Sequence, residues 1–282
     1  MPDTPLVWQN WHQTVTQPVR RFDVLRNDDE TRSTISGYMA TARKVQSLIL
    51  DAVEQDVSLR AVGGGWSFTR IAATDGIALS TQRLNYRFSL SQGDLVQPNP
   101  FPPNCLPVLL QGGISIADVN TFLASRGHAL PTSGASNGQT IAGALATGTH
   151  GAALGIGAIP EFVSALHIAN SPDGRTLWLE RASRPVLSQA AATALGVHVV
   201  RNDDQFNAAL VSFGCFGVVL GVVVEPVPLY WLHAYMDAFD LTLQSTWDAI
   251  HALSFAGLAL PGLREGGSAP ITARRLLVPA RV

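Results

Sequence analysis

In the stretch "DDETRSTISGYMATARKVQSLILDAVEQD", Asp28 to Asp56, a polar opening gives way to Tyr38, Ala42, Val45, Ile49 and Val53 at spacings of three and four. That period lays apolar side chains along one face of an α-helix. "VSLRAVGGG" then reads as a strand running into a glycine turn, and "GIALSTQRLN" as a second short strand. Helix, strand, turn and strand make a small α/β unit. After a loop rich in Pro, Asn and Gln from Leu90 to Pro107, "CLPVLLQGG" predicts a buried strand and "SIADVNTFLASRGH" a helix. Ser115 is its expected N-cap, with Asp118 in the first turn and Gly127 at the stop.

The next segment, "ALPTSGASNGQTIAGALATGTHGAALGIG", is too rich in small residues for ordinary core. "FVSALHIANSPDGRTLWLE" predicts a hairpin of two half-buried strands about the turn Pro172-Asp173-Gly174. "DDQFNAALVSFGCFGVVLGVVVEPVPLY" predicts a helix, a glycine-rich turn and a long apolar strand. Within it, Ala208 to Val224 carries no charge and includes Gly217-x-x-x-Gly221, so a membrane span is a second reading. The segment is short for a bilayer and rich in Gly and Val, which favours helix end, turn and buried strand. Beyond Tyr230, "AYMDAFDLTLQSTWDAIHALSFAG" predicts a strand and a helix opening a further domain, while "LALPGLREGGSAPITARRLLVPARV" has no clear period.

Composition narrows the functional classes. Among 282 residues, 19 basic and 21 acidic side chains give a formal charge of −2, with 46% hydrophobic and 14% charged content. A nucleic-acid partner is not expected without a basic stripe, and the chain is too apolar to be disordered. Cys105 and Cys215 stand far apart with no metal-ligand spacing around either, so neither a zinc site nor a disulfide framework is expected. The start lacks the basic and apolar regions of a secretory signal. A cytoplasmic protein without a membrane span is the expectation, with peripheral membrane association left open.

Three consecutive glycines after a strand, Gly63 to Gly65, can take positive φ and aim successive backbone N–H groups at an anion. No Gly-Lys-Ser/Thr follows, so this is not a P-loop, and for the triplet alone a structural turn is the better reading. The second glycine-rich segment changes the weighting. Ser133, Gly134, Asn137, Thr140, Gly143, Thr147, Gly148, Thr149 and His150 crowd small residues and hydroxyls suited to wrapping a flat, polar ligand. Two such segments favour one large cofactor over two coincidental turns. His150 between glycines reads as a structural residue near that cofactor; His128, His167, His198 and His233 read as scattered without partners, and Asp75 as a turn residue.

"VGGGWSF", "SGASNGQTIAGALATGTHGA" and "FGCFGVVLGVVVEPVP", in this order, resemble the FAD-binding domain of the vanillyl-alcohol oxidase (PCMH-type) superfamily, over roughly Asn10 to Tyr230. Its sugar-lactone and alditol oxidase branch, with gulonolactone oxidase and D-arabinono-1,4-lactone oxidase, is the most similar part. The resemblance implies an α+β fold of two subdomains, a small α/β unit over 1–88 and a larger mixed sheet with helices over 89–230. Residues 231–282 would be an incomplete start of a substrate-binding cap. It implies FAD as cofactor. Gly63, Gly64, Gly65, Trp66 and Ser67, flanked by Val62 and Phe68, would cradle the pyrophosphate. The second segment's nine residues would line the flavin and the ADP part, with Gly217, Val218 and Val219 near the adenine side.

Many relatives carry, at the position of Trp66, a histidine joined covalently to the flavin. Indole has no comparable nucleophilic nitrogen, so the resemblance implies noncovalent FAD, with Trp66 against the flavin or packed beneath the loop. Gly134 aligns where residue size governs oxygen access, and glycine leans towards an oxidase. The implied activity is oxidation of an alcohol group of a sugar lactone or alditol, with electrons passed to oxygen or another acceptor. No catalytic residue is assigned, because the cap motifs that activate the hydroxyl are missing. The alternative is a flavin-binding module without its own catalysis, completed by a partner chain; against a reductase on the same fold stands the lactone-oxidase likeness of "ATGTHG".

Overall fold

The computed structural model describes residues 6–29, 31–153, 155–171, 173–231 and 242–252. A hairpin of β1 (Val7–Gln9) and β2 (Thr16–Pro18) leads into β3 (Arg21–Arg26), helix α1 (Ile35–Glu54), β4 (Leu59–Val62) and β5 (Ile77–Arg83). β3, β5 and β4 form a parallel sheet in that order. Next come β6 (Arg87–Ser89), β7 (Val108–Gln111), α2 (Ile116–Ala124), β8 (His128–Ala129), α3 (Ile141–Ala146), β9 (Val163–Ala169) and β10 (Leu177–Glu180). They are followed by α4 (Gln189–Leu195), β11 (His198–Arg201), α5 (Asp203–Leu210), β12 (Val218–Val224) and β13 (Val227–Pro228). A second, mixed sheet runs β11-β10-β9-β12-β7-β6, parallel only between β10 and β11. The described residues up to Leu229 form one unit; helix α6 (Gln244–His251) belongs to another.

This is the expected α+β fold with a small α/β sheet and a larger mixed one. Side chains alternate across the large sheet, and both faces are covered. Val108, Leu110, Leu166, Val222 and Val224 meet Ile116, Leu123, Ile141, Leu145 and Phe206 from α2, α3 and α5. Leu109, Ala165, Trp178 and Val223 meet Tyr38 of α1, Ala192 of α4 and the loop residues Leu95 and Phe101. Every residue of β9 is therefore buried, which corrects the half-buried hairpin: a strand covered on both sides has no polar face to show. The same covering explains the charge-free stretch Ala208 to Val224, which folds as the end of α5, a turn and the buried strand β12. Among the described residues, no helix is long and apolar enough to cross a membrane.

Helix α1 is shared between the two sheets. Ala42 and Val45 pack with Ala169, Val218 and Leu220 of the large sheet, and with Leu25, Leu59 and Ala61 of the small one. Thr34 caps it by accepting the Gly37 N–H. The small-residue segment, read as unlike core, contains α3, whose Ile141, Ala144 and Leu145 are fully buried. Small side chains let this helix approach until the Ala142 N–H donates to the Gly112 carbonyl at 3.1 Å.

Ser115 caps α2 as expected, its Oγ accepting the Asp118 N–H at 3.0 Å and donating to the Asp118 carboxylate at 2.7 Å. Ser115→Ala leaves that N–H without its cap, and an expected loss of about 1 kcal/mol would register as a lower urea midpoint with unchanged slope.

Two histidines read as partnerless are not so. His167 is fully buried, with Nδ1 2.6 Å from the Tyr38 hydroxyl, and burial holds its imidazole down to about 3. His128 contacts the Arg126 and Asn104 carbonyls. His233 and the strand expected after Tyr230 lie outside the described residues. Glu180, also fully buried, accepts from the Trp178 indole, the Leu187 N–H and Arg201, so its charge is met on every side.

Candidate cofactor cleft

A cleft of about 740 Å³ is lined by residues from both sheets. One part of its wall is the C-terminal end of α1 (Ile49, Ala52, Val53), β4 and the glycine loop from Gly63 to Ser67. Another is Gln139, Thr140, Gly143, Thr147 and Thr149, completed by the turn and strand from Phe213 to Val219. The two glycine-rich segments touch. A Cβ on Gly63 would stand 2.2 Å from Thr140 Oγ1, so only glycine lets β4 run this close to the start of α3. Gly217 has a special backbone: its φ of +117° turns the chain from α5 into β12 with the Ala169 carbonyl alongside.

Free hydrogen-bonding groups mark the cleft as built to receive something polar. Among the described residues, no protein acceptor meets the backbone N–H groups of Gly64, Gly65, Trp66 and Ser67. Gln139 Oε1 is buried without a donor. Four successive N–H groups on a glycine turn suit a phosphate, and a lone amide oxygen suits a hydroxyl or imide N–H. No group of three or more His, Cys, Asp or Glu that could hold a metal occurs among the described residues.

The family described as the FAD binding domain matches residues 38–180. The chain belongs to that family. FAD is its cofactor, and the free groups of the cleft fit that molecule's phosphates, hydroxyls and ring N–H. This FAD-binding domain is 23% identical over 245 residues to the D-arabinono-1,4-lactone oxidase of Eremothecium gossypii, covering 86% of this chain and 38% of that protein. It is 28% identical to the L-gulonolactone oxidase of Mus musculus over 73% of this chain and 39% of that one. The L-gulono-1,4-lactone dehydrogenase of Mycobacterium tuberculosis is 29% identical over 68% and 37%. The chain thus spans less than two fifths of the length of these curated relatives. The crystal structure of cholesterol oxidase from B. sterolicum matches with a TM-score of 0.53 at 19% identity, over 81% of this chain and 39% of that one. This likeness is one of fold.

Of the residues singled out in the sequence, the FAD-binding domain gathers Gly63, Gly64, Gly65, Trp66, Ser67, Thr140, Gly143, Thr147, Thr149, Gly217, Val218 and Val219 around the cleft. Val62 lies in the core beneath, packed with Trp8 and Ala78. Phe68 is exposed and stacks on His12 at 4.0 Å. Ser133, Gly134, Asn137, Gly148 and His150 do not line the cleft; His150 is exposed, with Nδ1 donating to the Gly151 carbonyl. Trp66 is half-buried and stacks on Trp11 at 5.5 Å with planes 10° apart, while the His12 ring meets it edge-on at 5.4 Å. It is thus a half-buried wall residue, backed by aromatics of the β1–β2 turn and packed against the backbone at Gly138.

Sequence reasoning missed Gln139, Asn170, Arg60 and the end of α1. Gln139 and Arg60 stand inside or beside the quoted glycine segments, where proximity was the available signal. Asn170 and the helix end arrive only through packing.

Proposed function

We propose that this chain is the cofactor-binding part of an FAD-dependent oxidoreductase that oxidises an alcohol group of a sugar lactone or alditol. Oxygen or another acceptor would take the electrons. The observation that carries the reading is the meeting of the Gly63 loop and the Thr140–Thr149 segment in one cleft with unfilled backbone donors. The likeness to two lactone oxidases and a lactone dehydrogenase supports the substrate class. FAD, when bound, supplies the acceptor for hydride from the alcohol carbon. The chain's own groups bind and orient it: the loop N–H groups hold phosphate, Gln139 Oε1 accepts a hydrogen bond, and Trp66, held flat by Trp11, walls the ring. With indole at position 66, the cofactor is held without a covalent bond. The division into subdomains over 1–88 and 89–230, with 231–282 opening a cap, belongs to the same proposal.

The purified chain, reconstituted with FAD, is expected to show flavin absorbance that acid precipitation releases completely into the supernatant. Colour retained in the pellet would contradict noncovalent binding and direct attention to His12, the imidazole beside Trp66. Anaerobic addition of aldonolactones and alditols is expected to bleach the flavin for at least one member of the panel. A protein that binds FAD and bleaches with none would be a flavin-binding module instead.

A further inference from the structure

We propose that Arg60 is the cationic contact for the diphosphate of FAD, an inference that rests on reading the cleft as the cofactor site. Among the described residues lining the cleft, Arg60 is the one that carries a formal charge at neutral pH. The diphosphate brings two negative charges into a wall otherwise made of uncharged side chains. Taking such charges from water is costly unless they are paired and hydrogen-bonded. The unfilled N–H groups of Gly64 to Ser67 can supply hydrogen bonds; net charge can come only from the guanidinium.

Its geometry suits the task. Arg60 lies on β4, three positions before Gly63, so the strand that launches the glycine loop also carries the cation. Nη2 donates to the Ile71 carbonyl at 2.5 Å and to the Phe213 carbonyl at 2.6 Å, tying the turn after the glycine loop to the turn before β12. Those two bonds fix the plane of the fork. Nε and Nη1 keep their donors, with no protein acceptor and no carboxylate partner among the described residues. A rigid fork with free N–H groups is the arrangement that recognises phosphate oxygens. Held by carbonyls alone, the guanidinium also keeps its full charge for the ligand.

The test compares ligands with and without the diphosphate. Apoprotein of the parent and of Arg60→Gln, matched by circular dichroism, is titrated with FAD and with riboflavin, following flavin fluorescence. The side-chain amide of the variant would still be able to donate to one of the two carbonyls, which limits the loss of loop support. Arg60→Gln is expected to weaken FAD roughly ten- to a hundredfold while leaving riboflavin within about twofold. An unchanged FAD affinity, or equal losses for both ligands, would overturn the proposal, and so would a variant whose weakened FAD binding keeps the parent's full dependence on NaCl, the mark of loop support without a charge contact. If the variant does not fold, the parent protein decides. Raising NaCl from about 50 mM to about 500 mM is expected to weaken FAD several-fold and spare riboflavin. Parallel salt responses would overturn the proposal. A parent chain that binds no FAD would sink the cleft reading itself, whereas FAD binding that ignores Arg60 and salt would sink only the present inference.

Discussion

Gly63→Ala is expected to abolish retention of FAD. The new Cβ would fall 2.2 Å from Thr140 Oγ1 and 3.2 Å from both Thr140 Cβ and Cγ2, and Thr140 is buried. Its Oγ1 is also committed, accepting the Gly143 N–H at 3.3 Å at the start of α3. Relief requires either that Thr140 rotate and give up this cap or that the glycine loop move outward. Both displace a wall of the cleft. Overpacking of this kind costs about 1–3 kcal/mol of stability. The loss of FAD affinity should be larger, roughly a hundredfold or more, because four loop N–H groups lose their common aim. Thr140→Ala removes Oγ1 and Cγ2 and leaves only the 3.2 Å contact to Cβ, so the double variant should recover much of the binding. Fluorescence titration of the three variants checks this, and a Gly63→Ala protein with parental affinity would show that the close approach does not matter to the cofactor.

Acid sensitivity centred on His167 is the second large effect. In the folded chain burial keeps this imidazole neutral down to about 3, while in the unfolded chain it takes up a proton near its ordinary 6.5. The unfolded state therefore binds more protons throughout that window. The corresponding stability is fully present above pH 6.5 and is lost progressively as the pH falls towards 3. At about 1.4 kcal/mol per pH step, roughly 2–3 kcal/mol is gone by about pH 4.5. Tyr38→Phe/His167→Leu removes the titrating group together with its partner. Urea midpoints measured at neutral pH and near pH 4.5 should fall less in that variant than in the parent. The carboxylates are the same in both proteins and cancel in the comparison. Equal falls would mean that His167 is not the acid-labile group.

The sequence announced elements wherever an apolar period or an unbroken apolar run met a local cap or turn signal: α1, α2, α5, β4, β5, β7, the β9–β10 hairpin and β12 follow from period, run, cap and glycine. β3 escaped because its alternation is inverted. Phe22 and Val24 face outward, while Arg21 and Asp23 turn inward and pair at 2.8 Å. α3 escaped because close packing selected small residues, which mimic a loop in composition. The cleft was legible through its glycines and hydroxyls, whose type is dictated by contact itself. The Tyr38–His167 bond joins residues 129 apart and leaves no local trace, so a histidine that anchors the core read as idle.

The stripe along α1 divides into two parts with different neighbours. Tyr38, Ala42 and Val45 are sealed inside the protein, but Ile49 and Val53 continue the same face into the wall of the cleft, where Val53 is 59% exposed. One helix thus belongs to the core at one end and to the wall of the cleft at the other. A ligand seated in the cleft would pack against Ile49 and Val53 and carry the hydrophobic interior one turn further along the helix.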